Sequence, residues 1–362
     1  MKKIGILTFH RCINYGAYWQ VRCLGDYFAR AGYAPQVLDY GWKGFFLNEL
    51  KHALRPFKGA PKGDILRFTA KTLKCYGAQQ RIRRTPSFAL RSPPDFSDFD
   101  LIAVGSDEVW NLSHPWLGKV PLFFGERLAP KRLISYAASF GNYPAAEGLK
   151  EEWVNRLRRF DGISVRDKNS LELIEQGLGV TPTLVLDPCL LAETLQNPPR
   201  QGTEAPYILV YGNRFVPELI NETRAYARAR NLRVLSIGYR NDWTDRSILT
   251  AGPHDFLRMM KNATAVVTTY FHGCVFSLRC ERPFVAQLSK YRSNKVGGLL
   301  SAVKASHRIF DSTHPGQVNA LLSTPVEPEV FEAIAGLRVT SENYLQTCLA
   351  GRSELSSAFK NS

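Results

Sequence analysis

Residues 3–40 read KIGILTFHRCINYGAYWQVRCLGDYFARAGYAPQVLDY, and this stretch decides the fold class. An apolar run predicts a strand over Lys3–Phe9, and apolar residues at helical spacing predict a helix over Ala17–Ala31. Gly32 is suited to end that helix, and Ala34–Tyr40 predicts the next strand. A strand, a helix and a strand in this order indicate a β-α-β unit, which belongs to a parallel sheet.

The same alternation continues along the chain on both sides of a break. A Pro- and Gly-rich run without periodicity, LQNPPRQGTEAP, occupies 195–206 and predicts an interdomain linker. We therefore expect an α/β fold of two Rossmann-like domains with parallel sheets facing a cleft, at 1–194 and at 207–362, the second ending in a helical tail. Further strands are predicted at Asp100–Ser106, Arg132–Ser139, Asp161–Arg166, Thr183–Asp187, Tyr207–Tyr211, Arg233–Gly238, Thr264–Thr269 and Pro283–Leu288.

Composition narrows the class of protein. The 362 residues are 44% hydrophobic and 22% charged, which excludes a disordered or collagen-like chain. Seven scattered cysteines without a CxxC pair disfavour a disulfide framework and a zinc site. No apolar run approaches the ~18 residues of a membrane span, and the run before His10 is too short for a signal peptide. We expect a cytoplasmic protein, and its formal net charge of +15 favours an acidic partner.

One segment of the predicted first domain is strongly basic. Residues 51–91 contain eleven Lys or Arg and one acid, Asp64. Ile65, Phe68, Leu73 and Tyr76 lie roughly along one helical face in it. This pattern predicts an inserted amphipathic helix that contacts an anionic membrane surface, and a solvated surface helix is the alternative. No nucleic-acid-binding motif accompanies the charge, so nucleic acid is not an expected partner.

Polar residues follow the predicted strand ends, where open α/β sheets bind ligands. After the first strand, a tight turn places Asn14 and Gly16 at the start of a helix, where backbone N–H groups can meet an anion. The alternative is an ordinary turn in which Asn14 caps the helix.

A second polar stretch follows the strand predicted at Asp100–Ser106. The carboxylates Asp107 and Glu108 precede Trp110 and Asn111, a combination suited to hydroxyl recognition or to a general base. A capped helix N-terminus is the alternative for this stretch.

In the predicted second domain, His272 stands between the strand at Thr264–Thr269 and a helix. A histidine in that position can donate a hydrogen bond to an anion or transfer a proton near neutral pH, although a capping or core histidine is the alternative. Further along, Ser289–Lys295 holds three cations with Ser293 and Asn294, a phosphate or carboxylate site. Arg166, at another strand end, could line the opposite side of the cleft.

Seven short motifs in order make this chain resemble the polysaccharide pyruvyl transferase family. The resemblance runs from about residue 4 to 310 and skips the basic insertion. The motifs are NYGA at 14–17, GSDEVWN at 105–111, YAASFG at 136–141, SVRD at 164–167, LDP at 186–188, FHG at 271–273 and RSNK at 292–295.

The resemblance implies a fold like that of the GT-B glycosyltransferases. It also implies an enzyme that transfers a pyruvyl group from phosphoenolpyruvate to two hydroxyls of a sugar, forming a cyclic ketal and releasing phosphate. Members act in bacterial capsule, exopolysaccharide and cell-wall polymer assembly. The donor is a co-substrate, and no further cofactor or metal is expected. The acceptor is expected to be a nucleotide-linked or lipid-linked sugar at the inner face of the membrane.

The resemblance and the residue types together suggest roles for the candidate residues. His272 matches a histidine that contacts phosphoenolpyruvate in the family, and we expect it to act as general acid or phosphate partner, with Asp107 as the base. Tyr270 stands where many members carry Arg or Ser, which shifts the donor contact to other cations. Donor contacts are expected from Arg166, Arg292, Lys295, Ser293, Asn294 and Gly273, and acceptor contacts from Asn14, Gly16, Trp110, Asn111 and Ser139.

Two other readings fit the same architecture. A glycosyltransferase would bind a nucleotide-sugar donor in the second domain and ignore phosphoenolpyruvate. A non-catalytic homologue would bind an acidic glycan or lipid carrier and release no phosphate.

Overall fold

The computed structural model describes residues 1–41, 43–54, 61–192, 205–289 and 293–351. The strands in these residues are β1 (Lys3–Leu7), β2 (Ala34–Val37), β3 (Tyr40–Gly41), β4 (Phe88–Ala89), β5 (Leu101–Val104), β6 (Leu133–Ser135), β7 (Ser164–Val165), β8 (Thr183–Leu184), β9 (Tyr207–Tyr211), β10 (Arg233–Ile237), β11 (Arg246–Ile248), β12 (Ala265–Thr268) and β13 (Phe284–Ala286). The helices are α1 (Tyr15–Arg30), α2 (Lys43–Leu54), α3 (Lys62–Gln80), α4 (Glu151–Leu157), α5 (Lys168–Leu178), α6 (Pro188–Leu191), α7 (Pro217–Ala229), α8 (Pro253–Asn262), α9 (Phe271–Arg279), α10 (Ser293–Ala302), α11 (Gln317–Ser323) and α12 (Pro328–Leu349). None of these helices is long and apolar enough to cross a bilayer.

Two parallel sheets form the framework, as predicted. The first has the order β2-β1-β5-β6, and the second has the order β11-β10-β9-β12-β13. Their central strands read as continuous apolar runs because helices cover both faces; all five residues of β9 are buried, for example. The α/β class with parallel sheets is confirmed.

In each sheet the strand order reverses at one point. Chain order runs from β1 to β2 on one side and from β5 to β6 on the other, so the first sheet reverses between β1 and β5. The second sheet reverses between β9 and β12 for the same reason. The loops that leave neighbouring strands at such a switch point diverge and leave a crevice where ligands bind.

Several strands are shorter than predicted, because the chain turns away at their carboxyl ends. The strand predicted at Arg132–Ser139 ends at Ser135, and Ala137 has a left-handed backbone with φ of 51° that breaks the extended run. The strand predicted at Asp161–Arg166 comprises only Ser164–Val165. These truncated ends form the loops around the crevice.

The basic insertion is docked on the rest of the protein. On α3, Phe68 and Cys75 are each 1% exposed and belong to the core. Lys71 is also buried; its Nζ donates to the carbonyl of Gly238 at 3.1 Å and lies over the rings of Tyr15 and Tyr239. The insertion therefore connects the two halves.

The prediction that the apolar residues of this helix share one face was wrong in one respect. Phe68 is buried, whereas Leu73 is 65% exposed, so the two residues lie on different faces of α3. The inner face packs on protein, and the outer face presents leucine to solvent.

The last described helix returns to the first sheet. The backbone N–H of Leu186 donates to Ser341 on α12 at 2.9 Å, and the hydroxyl of Tyr344 donates to the carbonyl of Ser135 at 2.7 Å. A segment of the predicted second domain thus packs outside that domain. The predicted linker, 195–206, lies outside the described residues except for its last two positions.

The docking of α3 predicts opposite effects for its two faces. Phe68→Ala should lower the free energy of unfolding by about 3–5 kcal/mol, because it leaves a cavity between packed elements. Leu66→Ala, on the outer face and 77% exposed in the wild type, should change it by less than about 0.5 kcal/mol. Urea denaturation of both variants checks this; equal effects would contradict a docked helix.

Candidate functional site

The two switch points face each other across one cavity. It has a volume of about 290 Å³, and both halves of the chain contribute to its wall. A larger groove of about 760 Å³ in the first half is lined by residues such as Leu90 and Lys119. That groove has none of the residues at the second switch point, so we take the smaller cavity as the candidate active site. Its lining residues are Phe9, Cys12, Asn14, Glu49, Asp107, Glu108, His114, Tyr211, Tyr239, Tyr270, Phe271, His272 and Lys295.

Acidic and basic side chains alternate in a network of ion pairs at this cavity. The Nζ of Lys295, at the start of α10, lies 3.4 Å from Asp107 Oδ1 and also contacts Glu108 Oε1. Arg166 Nη2 donates to Asp107 at 3.0 Å, and its Nη1 donates to Asp187 Oδ2 at 3.1 Å. Lys295 comes from the second half and the acids from the first, so these ion pairs join the two halves.

The two carboxylates after β5 are held ionised. Burial by itself would raise the pKa of Asp107, but Lys295, Arg166 and His272 more than offset it and hold that pKa well below its ordinary value. The pKa of Glu108 is lowered for a similar reason, with Lys295 offsetting its burial. A carboxylate of such low basicity is a weak general base while these cations contact it.

His272 is buried, neutral and unpaired. It lies in the first turn of α9, with Nε2 3.8 Å from Asp187 Oδ2 and without a hydrogen-bond partner among the described residues. Burial lowers its pKa to about 4, although Asp187 and Asp107 act in the opposite direction. A buried polar nitrogen without a hydrogen-bond partner is rare in a folded protein, and the residue that carries this one lines the candidate cavity.

Two of the predicted glycines are needed for packing. A Cβ added to Gly16 in α1 would overlap the imidazole of His272, so this glycine lets the histidine lie against the first half. A Cβ added to Gly273 would overlap the side chain of Thr268 at the end of β12. Neither glycine is among the residues that line the cavity, and both allow close contacts between elements.

Three residues predicted to contact the acceptor are buried in the first half, and their contacts with an acceptor stay a prediction. Trp110 is 0% exposed and donates to the carbonyl of Phe123 at 2.8 Å. Ser139, also 0% exposed, accepts from the backbone N–H of Gly141. Asn111 donates to Glu108 Oε2 at 2.6 Å and so orients that carboxylate. Their polar atoms serve the loops around the site.

Besides Gly273, five residues were predicted to contact the donor, and they lie in different surroundings. Lys295 lines the cavity, whereas the side chain of Arg166 is 1% exposed and already bound to two aspartates. Ser293 and Asn294 begin α10 but do not line the cavity, and Asn294 is exposed. Arg292 lies outside the described residues. Of the residues predicted after the first strand, Asn14 lines the cavity and its Oδ1 also accepts from Ala17 N–H at 2.7 Å as the cap of α1.

Three tyrosines of the second half form an aromatic wall of the cavity, which was not predicted from the sequence. The ring centroid of Tyr270 lies 5.1 Å from that of Tyr211 and 5.0 Å from that of Tyr239. Each tyrosine ends or follows a parallel strand, and that position could have identified them. Glu49 on α2, whose pKa is raised by burial, carries no comparable signal in its sequence context.

One group of side chains has the composition of a metal site. Ligand atoms of Asp187, Cys189 and His272 lie within 4.8 Å of one another. Asp187 Oδ2, however, already accepts from Gln20 at 2.5 Å and from Arg166, and burial raises the pKa of Cys189 well above its ordinary value. A cation there would have to displace a guanidinium, so the donor set fits a hydrogen-bonded charge network better than a metal.

Comparison with solved structures defines the class of fold. UDP-GlcNAc 2-epimerase from Neisseria meningitidis bound to UDP-GlcNAc is similar, with a TM-score of 0.50, 10% identity and coverage of 97% of this chain and 100% of that chain. A TarM mutant and MnaA with UDP, both from S. aureus, match with TM-scores of 0.48 and 0.45 and identities of 10% and 14%. Coverage is 97% of this chain and 99% of that chain for TarM, and 96% of both for MnaA. The likeness to the epimerase, at a TM-score of 0.50, indicates the GT-B-like fold that the resemblance implied.

A family model then identifies the chain more closely. The model of the polysaccharide pyruvyl transferase family matches residues 14–286, well over half of the chain. The protein belongs to the polysaccharide pyruvyl transferase family and is a transferase, which confirms the resemblance. A search of curated proteins found no match.

The environment of His272 predicts a specific dependence of stability on pH. Its pKa is about 4 in the folded protein against an ordinary 6.5, so below pH 6.5 the unfolded chain binds a proton that the folded chain does not. The free energy of unfolding should therefore fall as pH drops from 6.5 to 4, by up to about 1.4 kcal/mol per pH unit from this residue. In His272→Gln the fall over this window should be shallower, as measured by urea denaturation at several pH values.

The contact between Gly16 and His272 can be tested with a control from the same helix. Gly16→Ala should displace the imidazole from its buried position and raise the pKa of His272 toward 6.5, as followed by NMR of the ring. Gly25→Ala places its Cβ 3.9 Å from Ile6 Cδ1, an ordinary contact, and should leave that pKa unchanged. An unchanged pKa in Gly16→Ala would contradict the geometry.

Proposed function

We propose that this protein transfers the pyruvyl group of phosphoenolpyruvate to two hydroxyls of a sugar in a glycan precursor and releases phosphate. Family membership supports the reaction class. The observation that carries the proposal is the neutral imidazole of His272, whose Nε2 has no hydrogen-bond partner among the described residues and which lines the cavity together with the ion-paired Lys295. An enzyme that protonates an anionic donor needs this combination of a proton-transfer group and a cation.

The reaction requires one proton to be delivered to carbon. Protonation of the C3 methylene of phosphoenolpyruvate makes C2 electrophilic, and one sugar hydroxyl attacks it and loses its proton. The second hydroxyl then replaces phosphate at C2, and its proton leaves with the phosphate or with a base. The product is a cyclic ketal whose methyl group contains the added proton.

His272 is the proposed acid, and binding of the donor prepares it. The imidazole is neutral because burial lowers its pKa to about 4. The phosphate and carboxylate of a bound donor would add negative charge beside the ring, which raises the pKa of a histidine. Protonation of His272 would thus accompany donor binding, and the acid would be produced only when its substrate is present.

Lys295 is the proposed donor cation. It contacts Asp107 and Glu108, and a donor dianion would compete with these acids for it. Asp107, once relieved of Lys295, would become more basic, which suits it to accept the proton of an acceptor hydroxyl. Asp107, Glu108 and Asp187 outnumber Arg166 and Lys295 in the described network, so further positive charge is needed. Lys290 and Arg292, immediately before α10 in the sequence, are the proposed source.

The acceptor enters from the aromatic side of the cavity in this proposal. Tyr211, Tyr239 and Tyr270 offer apolar faces with polar tips, which suit a sugar ring. A volume of about 290 Å³ lies at the lower end for ligand pockets, so it would hold the donor and the reacting end of the acceptor. The remainder of a nucleotide-linked or lipid-linked acceptor would extend outside.

The decisive experiment follows the proton and the phosphate together. With phosphoenolpyruvate and a pool of nucleotide-linked and lipid-linked sugars in D₂O, the enzyme should release phosphate and place one deuteron in the methyl group of the ketal, as read by mass spectrometry. His272→Ala should lower turnover by at least ~10²-fold. His314→Ala, which changes a surface histidine with a side chain 72% exposed, should have no effect.

Donor binding supplies the control for an unsuitable acceptor pool. Phosphoenolpyruvate at ~10 mM should raise the melting temperature by several degrees, if its dissociation constant is ~0.1 mM. A shift with UDP and none with phosphoenolpyruvate would instead indicate a glycosyltransferase. Binding of a glycan without phosphate release would indicate a non-catalytic homologue.

A further inference from the structure

Exposed large apolar side chains are concentrated on α2 and α3, the helices that contain part of the basic insertion. In the described residues, five such side chains are more than half exposed: Met1, Leu47, Leu66, Leu73 and Val339. Leu47 lies on α2, and Leu66 and Leu73 lie on α3, which packs against α2. We call these three residues the outer leucine face. Clustered exposed apolar residues mark interaction sites more often than scattered ones do.

The outer leucine face cannot turn inward. Leu66 and Leu73 are seven residues apart, or about two helical turns, and so share one side of α3. The opposite side is anchored by buried Phe68 and Cys75 and by Lys71, which donates to Gly238 and lies over two tyrosine rings. Rotation of the helix would expose all of these groups.

Cations are interleaved with the leucines. Arg67 and Lys74 each follow a leucine of α3, and their side chains are 59% and 51% exposed. Lys74 also pairs with Asp255 at 2.9 Å, and Arg67 lies 3.7 Å from Asp64. Lys51 on α2 is exposed as well, and the 51–91 segment carries eleven cations against one acid. Leucines among cations are typical of surfaces that bind anionic lipids.

We propose that the outer leucine face is a docking surface for an anionic bilayer. The leucines enter the boundary between headgroups and acyl chains, and the surrounding cations contact lipid phosphates and carboxylates. The charge of the segment is complementary to such a bilayer, whereas a second copy of this chain would bring the same positive charge to the contact.

The same helices also form part of the cavity wall. Glu49 lines the cavity and is two residues after Leu47, so about 200° of rotation around α2 separates the two side chains. Lys71 of α3 supports Tyr239, another cavity residue. Docking would therefore hold the cavity one helix diameter, roughly 10 Å, from the membrane surface. Its use for a lipid-linked acceptor rests on the proposed function, but the docking itself does not.

Vesicle sedimentation of the full chain tests the proposal. The protein should bind vesicles of 30% phosphatidylserine and 70% phosphatidylcholine at low salt, and should bind pure phosphatidylcholine at least tenfold more weakly. Combining Leu66→Ser with Leu73→Ser should weaken binding to the anionic vesicles at least about tenfold. Val339→Ser removes another exposed apolar residue, 57% exposed, from a different helix and should leave binding unchanged.

Three outcomes would overturn the proposal: no binding by the wild type, wild-type binding by the leucine double variant, or equal losses in the double variant and Val339→Ser. Melting temperatures equal to the wild type's would show that the variants fold. A wild-type dimer that the double variant converts to monomer would assign the face to a second copy instead. Phosphate release without vesicles should be the same in the double variant and the wild type, so failure here is distinct from failure of the proposed function.

Discussion

The architecture of the site depends on burying more carboxylates than cations at the meeting of two sheets. Glu108 and Asp187 are 9% and 2% exposed and the side chain of Asp107 is 14% exposed, and only Arg166 and Lys295 neutralise these acids directly in the described network. Removing charges from water is expensive unless they are paired with good geometry. The pairing therefore dictates where the second half must lie, because Lys295 reaches the acids only when α10 faces the loop after β5.

This constraint determines the protonation states of Asp107 and His272 in the site. The cations hold Asp107 ionised and weakly basic, while burial keeps His272 neutral. In the proposed mechanism, neither group can transfer a proton until an anion binds. A ligand that takes Lys295 from the acids and adds negative charge near the imidazole would change both groups in the productive direction. Asp107 and Glu108 would then be the partners of Lys295 that an incoming anion replaces.

The basic insertion joins this site to the outside of the protein. The inner residues of α2 and α3 pack on both halves, and Glu49 and the support of Tyr239 by Lys71 make these helices part of the cavity wall. Their outer residues are leucines and cations. One pair of helices therefore carries both the outer leucine face and part of the cavity wall.

Local sequence alone determined the α/β class, the parallel sheets and the importance of the strand ends, because strand and helix periodicity and turn residues act within a few positions. It placed Asp107 at the carboxyl edge of the first sheet and His272 and Lys295 at the carboxyl edge of the second, since each residue follows a strand and the carboxyl ends of parallel strands share an edge. Tertiary structure alone decided that Trp110 and Ser139 are buried, that Arg166 is occupied by two aspartates, and that Phe68 and Leu73 face opposite ways. It also decided the return of α12 to the first sheet. These outcomes depend on contacts between residues far apart in the chain, where packing and charge pairing, not local spacing, select the arrangement.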